Sequence, residues 1–399
     1  MQSKTPSNLP RGIWMLGFVS LFMDVSSELI HSLLPVFMTT VLGANVATVG
    51  LIEGIAEATA AILKVFSGVI SDTVGKRKPL LIAGYGLATL SKPLFPLANS
   101  IGWVFTARFV DRLGKGIRVA PRDALVADIT PIQFRGAAYG LRQALDSVGA
   151  FIGPLLAVIL MLYLADNIRS VLWAAVIPAL LAVFILLTFV REPQAHTTSQ
   201  APQTPLKISS LKNLGTRYWM IVALGAVFTL ARFSEAFLIL RAEDLQLTMA
   251  YIPLVMVAMN TAYAVIAYPA GKLSDKLNAR QLLFAGLCIL VLADTALAFG
   301  SSIKMLFLGS ILWGVHMGVT QGLLNKLVAD ASPSDLRGTA FGFFNLLSGV
   351  ALLFASLIAG LLWQHYGATA TFICGALFAM TAAIGIILYS LTSRQKYQN

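Results

Sequence analysis

The sequence predicts an all-α membrane protein with twelve transmembrane helices in two pseudo-symmetric six-helix bundles. Three observations predict this class. Of the 399 residues, 57% are hydrophobic and only 12% are charged, whereas about one quarter of the residues of a soluble domain are charged. Apolar runs close to the roughly 20 residues that cross a bilayer recur along the whole chain. The two halves of the chain also resemble each other, which indicates a duplicated bundle.

Each apolar segment is expected to be helical, because lipid offers the backbone no hydrogen-bond partners. The segments are also longer than the strands of a membrane barrel. The twelve predicted segments cover residues 13–41, 46–70, 79–98, 101–120, 136–163, 171–190, 218–240, 250–273, 281–299, 304–326, 338–363 and 368–391.

Lysine and arginine are concentrated in every second connection between these segments. The other connections contain only Arg169, Arg241 and Lys304. Under the positive-inside rule both termini are therefore cytoplasmic, and we expect a multi-pass protein of the inner, or cytoplasmic, membrane. This distribution accounts for the net charge of +11 without nucleic acid as a partner. Because Cys288 and Cys374 both fall inside segments, neither a disulfide nor a metal cluster is expected.

A long polar stretch, residues 191–217, divides the segments six and six. It is rich in Pro, Ser, Thr and Gln and predicts a flexible cytoplasmic linker between bundles at 1–190 and 218–399. LVADITPIQFRG at 125–136 aligns with LVADASPSDLRG at 327–338. A repeat over about two hundred residues is too long for a solenoid. It is typical of transporters, whose binding site lies between two related bundles and whose access alternates as one bundle rocks.

Several predicted segments carry charged residues that are costly in lipid. At about 100° per residue, Asp24, Glu28 and His31 share one face of the first segment, and Glu53 and Glu57 share one face of the second. An ionised group at the bilayer centre costs at least about 2.5 kcal/mol, so these faces are expected to line a common polar interior. The fourth and fifth segments add Arg108, Asp111, Arg112, Lys115, Arg142 and Asp146.

Proton transfer requires a carboxyl group whose proton affinity changes with its surroundings. Asp24, Glu28 and Glu57 lie deepest in the predicted segments and are candidate proton carriers. Arg112 is the expected electrostatic partner because arginine stays charged, and His31 is a candidate proton relay.

The remaining charged residues of the first half are candidates for either structural ion pairs or substrate contacts. The second half has fewer polar residues in its segments, and we expect it to supply more of the apolar and hydrogen-bonding wall around a substrate. The candidate substrate contacts are Glu53, Arg108, Asp111, Lys115, Arg142, Asp146, Arg232, Glu235, His316 and Asn345.

The loop after the second segment reads GVISDTVGKRK at 68–78. This run resembles the loop signature of the major facilitator superfamily, and the resemblance extends over nearly the whole chain. In the fifth segment, the spacing of Gly140, Gly149, Gly153 and Pro154 resembles the signature of the branch that exchanges solutes for protons, usually as exporters. The resemblance implies the fold of that superfamily and transport by alternating access.

Residues that control access are expected in the repeated loops and in the fifth segment. Asp72 is expected to meet a helix N-terminus of the other half, and the basic residues beside it to meet acidic side chains, which would stabilise one access state. Small residues in the fifth segment would let helices approach closely. The candidate gating residues are Gly68, Asp72, Gly75, Lys76, Arg77, Asp128, Arg135, Gly149, Gly153, Pro154, Asp330 and Arg337.

The sequence thus predicts a secondary transporter for a small organic solute, with proton-coupled export favoured. Proton-coupled uptake of an anionic metabolite or a metal chelate stays open, because the cationic residues could hold an anion. A membrane receptor or scaffold would need neither matched charged faces nor duplicated halves. The sequence lacks the motifs of zinc proteases, phosphate-binding loops and serine hydrolases, so we expect no enzyme activity and no cofactor. The expected partners are a small-molecule substrate, protons and the lipid bilayer, and the expected state is a monomer.

Overall fold

The structure is a computed structural model that describes residues 9–192, 214–333 and 336–395. These residues are almost entirely helical and contain no strand, which confirms the predicted all-α class. Of the linker predicted at 191–217, residues 193–213 lie outside the described residues.

The first six helices follow the predicted segments. They are α1 (Arg11–His31), α2 (Val46–Val74), α3 (Lys78–Ser91), α4 (Ile101–Ile129), α5 (Arg135–Tyr163) and α6 (Ile168–Phe189). Beyond a break, α1 continues in Leu34–Val36 and a π-helical turn, Phe37–Val41, and α3 continues in Leu94–Leu97. Proline supplies no N–H to the helical ladder, which accounts for the breaks beside Pro35 and Pro93.

The second half contains α7 (Thr216–Leu230), α8 (Leu254–Lys276), α9 (Ala279–Phe299) and α10 (Ile303–Ala331). The last helical stretch, Arg337–Gln395, has two limbs that meet at Gly367, where φ is 83°. Glycine adopts this left-handed conformation without a steric penalty. We call the limbs α11 (337–366) and α12 (368–395).

The predicted segment 218–240 is not one helix. After α7 the backbone opens and then forms a short helix, Ala236–Asp244. Two hydrogen bonds satisfy the open backbone. The Ser234 N–H donates to Ser356 Oγ at 3.1 Å, and the Ala236 N–H donates to Ser234 Oγ at 3.2 Å.

Nine helices among the described residues are long and apolar enough to cross a membrane. The charge-rich α4 and the interrupted stretch 216–244 are not among these nine, and α11 and α12 together form one of them. With these included, each of the twelve predicted segments has a helical counterpart.

The helices form two compact units. Within the described residues, the first unit comprises 9–31 and 63–192, and the second comprises 32–62 and 214–395. In the first unit, α1 packs against α5 and α6, and α3 packs against α4 and α6. In the second unit, α10 packs against α8 and α9, and the last helical stretch packs against α7 and α9. The domain boundaries predicted from the sequence stay a prediction.

The second unit includes the segment 32–62, from the beginning of the chain. Gly50 lies against the Ser356 carbonyl group, and a Cβ on Gly360 would lie 3.0 Å from the Cα of Ala47, so α2 and α11 approach closely. Near the end of this unit's short helix, the two carboxylate oxygens of Glu243 lie 3.0 Å and 2.9 Å from Thr39 Oγ1.

The internal repeat is visible in how the helices begin. Ser100 caps α4 by accepting a hydrogen bond from the Trp103 N–H at 3.4 Å. Ser302, 202 positions later, caps α10 in the same way through the Met305 N–H, also at 3.4 Å. A serine hydroxyl that satisfies a free N–H of the first turn stabilises the start of a helix.

Candidate functional site

Four buried charged side chains meet where α3 ends against α4, and we call them the Asp111 network: Lys92, Arg108, Asp111 and Arg112. Lys92 Nζ lies 2.7 Å from Asp111 Oδ1 and 3.0 Å from Ser27 Oγ on α1. Nitrogen atoms of Arg108 and Arg112 lie 3.9 Å and 3.6 Å from Asp111 Oδ2. All four residues are at most 3% exposed. Burying charges is tolerated when opposite charges are paired, and Asp111 provides such a pairing.

Two residues of α1 border the Asp111 network. The Arg112 guanidinium contacts the imidazole of His31, and His31 Nδ1 lies 3.8 Å from Glu28 Oε1. The side chains of Glu28 and His31 are 20% and 17% exposed. They therefore form the accessible edge of an otherwise buried set of charges.

A second set of charges joins α4 to α5, and we call it the Asp146 network: Arg122, Asp123, Arg142 and Asp146. Arg142 Nη1 lies 2.8 Å from Asp146 and 3.6 Å from Asp123. Arg122 lies 3.3 Å from Asp123 and 3.8 Å from Asp146, and it donates a hydrogen bond to Ser20 Oγ on α1 at 2.8 Å. Two acids and two bases thus connect α4 to α5, and Arg122 extends the network to Ser20 of α1.

Asp24 lies on α1 beside the Asp146 network. Its electrostatic neighbours are one acid, Asp146, and three cations, Arg118, Arg122 and Lys115. A carboxyl group placed between an acid and cations changes its proton affinity when the distances to them change. The position of Asp24 is therefore suited to proton exchange.

Two glycines of α5 let it touch α1 at the level of Asp24 and Glu28. A Cβ on Gly149 would lie 2.9 Å from Asp24 Cβ, and a Cβ on Gly153 would lie 2.8 Å from Glu28 Cβ. Both added atoms would also meet a carbonyl oxygen of α1 at 2.8 Å. Small residues thus set the distance between the two helices, and Pro154 follows directly inside α5.

The candidate substrate contacts of the second unit are Glu53, Arg232, Glu235, His316 and Asn345, and the candidate proton carrier Glu57 lies in the same unit. Glu53 and His316 are buried, and the other four residues are partly exposed. Arg232 and Glu235 occupy the open stretch after α7 and are electrostatic neighbours. His316 Nδ1 lies 2.7 Å from the Gly286 carbonyl oxygen. Substrate contact at these five candidates and at Lys115 of α4 stays a prediction, and so does proton transfer at Glu57.

The loop between α2 and α3 is held within the first unit by Arg77. Its Nη1 atom lies 2.7 Å from Asp72 Oδ1 and 2.6 Å from Ser71 Oγ. Its Nε atom lies 3.4 Å from Asp128 Oδ2, and its main-chain N–H donates to the Glu192 carboxylate. The loop is thus connected to the ends of α4 and α6.

The other predicted gating residues lie at the ends of the helices or on their surfaces. Gly75 has a φ of 67°, and a Cβ on Gly68 would make an ordinary contact of 3.5 Å with Ala120. Lys76, Arg135, Asp330 and Arg337 are exposed. The predicted contact of Asp72 with a helix N-terminus of the other half stays a prediction.

Sequence reasoning missed three members of these networks as site residues. Lys92 was visible as a charge inside the third predicted segment. Arg122 and Asp123 fall beyond the predicted end of the fourth segment at residue 120, but α4 continues to Ile129 with Pro121 inside it. The extension places Arg122 on a helix, where it is 7% exposed. Arg122 and Asp123, two of the charges that ended the apolar pattern, thus belong to the Asp146 network.

Comparison with known proteins assigns a family to this arrangement. The family model of the Major Facilitator Superfamily matches residues 16–242 and matches again at residues 230–399. An uncharacterized MFS-type transporter of Methanocaldococcus jannaschii is 33% identical over 384 residues, which cover 94% of this chain and 94% of that protein.

Two further proteins show the same likeness at lower identity. The multidrug resistance protein MdtH of Yersinia pestis is 25% identical over 349 residues, covering 86% of this chain and 83% of that protein. The crystal structure of the nucleoside transporter NupG superposes with a TM-score of 0.79 at 11% identity, covering 95% of this chain and 99% of that one. At this identity the superposition concerns the fold alone.

Proposed function

The chain belongs to the major facilitator superfamily, and on that premise we propose that it exports a small organic solute in exchange for protons. The superfamily consists of transporters rather than enzymes, and this chain is a multi-pass membrane protein and a secondary transporter. The direction of transport and the coupling to protons are the proposal.

One observation carries the proposal. Two acids of α1, Asp24 and Glu28, lie at the points where Gly149 and Gly153 bring α5 into contact, and Asp24 has both an acid and cations as neighbours. A small movement of α1 along α5 changes these distances and therefore the affinity of Asp24 for a proton.

The coupling follows from this electrostatics. Protonation removes the negative charge of Asp24, and with it both the repulsion from Asp146 and the attraction to Arg122. The balance between two arrangements of α1 and α5 then depends on whether the proton is bound. A solute that binds more tightly to the unprotonated arrangement is exchanged for the proton, because coupling requires a difference in affinity between the two states.

The direction of transport is inferred from resemblance. The glycine and proline spacing of α5 resembles that of proton-coupled exporters, and one relative is named a multidrug resistance protein. Both support export over uptake.

The experiment has two stages. Purified protein is first screened by thermal shift against anionic, cationic and neutral solutes at two pH values. The solutes that stabilise it are then followed in proteoliposomes with an imposed pH difference. The variants are Asp24→Asn, Glu28→Gln and Glu57→Gln, and the control is Asp166→Asn, which replaces an exposed acid outside the helices.

We expect at least one of the three variants to lose pH-driven flux while it still inserts and still binds the solute. The Asp166→Asn control should retain coupling. Unchanged coupling in all three variants would refute the assignment of the proton carriers.

A second candidate function is proton-coupled uptake of an anionic metabolite or metal chelate. The buried cations Lys92, Arg108 and Arg112 favour it, because they offer a strong field for an anion. The same proteoliposomes distinguish the two functions. In symport the solute accumulates on the side toward which protons flow, and in antiport it moves the opposite way, whatever the orientation of the protein in the vesicle.

We further propose that the protein is a monomer of the inner membrane with both termini in the cytoplasm, as the distribution of lysine and arginine suggests. In intact cells, a membrane-impermeant maleimide should label Ser301→Cys, between α9 and α10, but should not label Ser199→Cys in the linker. The opposite pattern would invert the topology, and a dimeric mass by light scattering would contradict the monomer.

A further inference from the structure

Asp294 is a fully buried acid in the second unit that has no visible counter-charge. It lies within α9 and is 0% exposed. Neither carboxyl oxygen has a hydrogen-bond partner among the described residues. Asp111, the comparably buried acid of the first unit, lies 2.7 Å from a lysine ammonium group.

The surroundings of Asp294 are apolar and closely packed. A Cβ on Gly375 of α12 would lie 2.7 Å from Asp294 Oδ2 and 2.8 Å from a ring carbon of Phe233. The Phe233 ring in turn packs against Trp313 and Phe372, with centroids 5.2 Å and 5.7 Å away. On this side the carboxyl group lacks room even for a methyl group, so a solute or a hydrated cation does not fit beside it without repacking.

The titratable groups on the neighbouring elements do not neutralise Asp294. Cys374 of α12 lies within electrostatic range of it, and a neutral thiol is a weak donor. His316 of α10 directs Nδ1 to a carbonyl oxygen of α9. Arg241, of the short helix Ala236–Asp244, donates to the carbonyl oxygens at the end of α9 and pairs with Asp244. No ion pair with Asp294 occurs in the described part of the chain.

The internal repeat gives a second, independent argument. At the offset of 202 positions that relates the caps of α4 and α10, Lys92 corresponds to Asp294 and Asp111 corresponds to Trp313. The first unit thus places a buried cation and its partner acid at these two positions. The second unit places an acid at the position of the cation and an indole at the position of the partner. The charged position is retained, and the counter-charge is missing.

We propose that Asp294 is a proton-binding site in the second unit and carries a proton in this conformation. An ionised carboxylate in such surroundings loses its hydration without gaining a partner, whereas a proton neutralises it and needs no additional space. Release of that proton requires α9, α12 and the Phe233 ring to separate and admit water. A role for this release in the transport cycle rests on the proton coupling proposed above.

Infrared spectroscopy tests the protonation without any transport assay. Protonated carboxyl groups absorb in a C=O stretching region that is separate from the carboxylate bands. Asp294→Asn should remove one component of this absorption at neutral pH from the purified full-length protein. The control Asp166→Asn, at an exposed acid, should leave the absorption unchanged. An identical spectrum in wild type and Asp294→Asn would overturn the proposal.

Thermal stability gives a second measurement. Since the amide resembles the neutral acid, Asp294→Asn should unfold within a few degrees of wild type, and the apolar Asp294→Leu should also fold. If neither variant folds, the site requires a negative charge and the proposal is overturned.

The transport role is separable from the protonation. In wild-type proteoliposomes with pH-driven flux, Asp294→Asn should lower the number of protons moved per solute. If wild type shows no pH-driven flux, the proposed function fails, while the infrared result still decides whether Asp294 holds a proton. If flux is pH-driven and the ratio is unchanged, Asp294 has no role in the cycle.

Discussion

Replacing Gly153 with alanine tests whether α1 and α5 must touch beside Glu28. The added methyl group would lie 2.8 Å from Glu28 Cβ, 2.8 Å from the Val25 carbonyl oxygen and 2.9 Å from the Leu29 amide nitrogen. Favourable contacts between such atoms begin near about 3.5 Å. Two of the three neighbours are backbone atoms, which cannot rotate away, so the helices must move apart by about 0.7 Å.

The size of the effect follows from two opposing contributions. Overpacking of a closely packed interior costs about 1–3 kcal/mol. Alanine in place of glycine inside a helix stabilises it by up to about 1 kcal/mol. We therefore expect Gly153→Ala to lower the free energy of unfolding by about 1–2 kcal/mol.

A glycine of the same helix provides the control. Apart from the adjoining residues and backbone of α5 itself, no atom of the described residues lies within 4 Å of the Cβ that Gly140→Ala would add, so that variant should be neutral or slightly stabilised. Thermal unfolding in detergent compares the two, and pH-driven flux should fall for Gly153→Ala because Glu28 is displaced. Equal unfolding midpoints and equal flux for the two variants would refute the close contact.

Three further predictions concern charges and loops. Asp111→Asn leaves Lys92 buried without its acid, so it should lower the free energy of unfolding by about 3–5 kcal/mol, as measured by thermal unfolding. The double variant with Lys92→Met should lose less stability than the two single variants added together. Thr39→Val removes a donor from Glu243, a residue beyond the predicted segment 218–240. Burial raises the pKa of Glu243, and the hydrogen bond from Thr39 lowers it because it stabilises the ionised carboxylate. The loss of stability in Thr39→Val should therefore be largest, about 1–3 kcal/mol, at a pH above the pKa of Glu243. It should become smaller as the pH falls through that pKa. A loss independent of pH would contradict this. Asp72→Asn should slow turnover more than it weakens solute binding, and equal losses would argue against the predicted contact of Asp72 with a helix N-terminus of the other half.

The positions of the membrane segments could be predicted because a segment that crosses lipid must be apolar, and apolar runs are visible in the sequence. Segment 281–299 and α9 (Ala279–Phe299), for example, differ by two residues at one end only. The predicted end of the fourth segment was wrong because electrostatic pairing, and not apolar composition, allows the helix to continue there. Residues beyond 120 are too charged to suggest a membrane helix, but their charges are neutralised by neighbouring helices, and α4 continues.

The faces of the charged helices were predictable, but their partners were not. Periodicity places Asp24 and Glu28 on one side of a helix, and it does not say which neighbouring helix lies there. The pairing of Lys92 with Asp111, 19 positions apart, depends on the packing of α3 against α4. Asp294 looked in the sequence like any other acid of a membrane segment, because a missing partner becomes visible only when the surrounding side chains are in place.

The assignment of residues 32–62 to the second unit limits how the protein can be divided. The chain passes between the units after residue 31, after residue 62, and once more between residues 192 and 214. A fragment starting at residue 218 would lack residues 32–62, which pack against Gly360 of α11. The complementary fragment would contain residues 32–62 but not the helices of the second unit against which they pack. Severing the linker would therefore not yield two self-sufficient pieces, and each half would depend on the other to complete its fold.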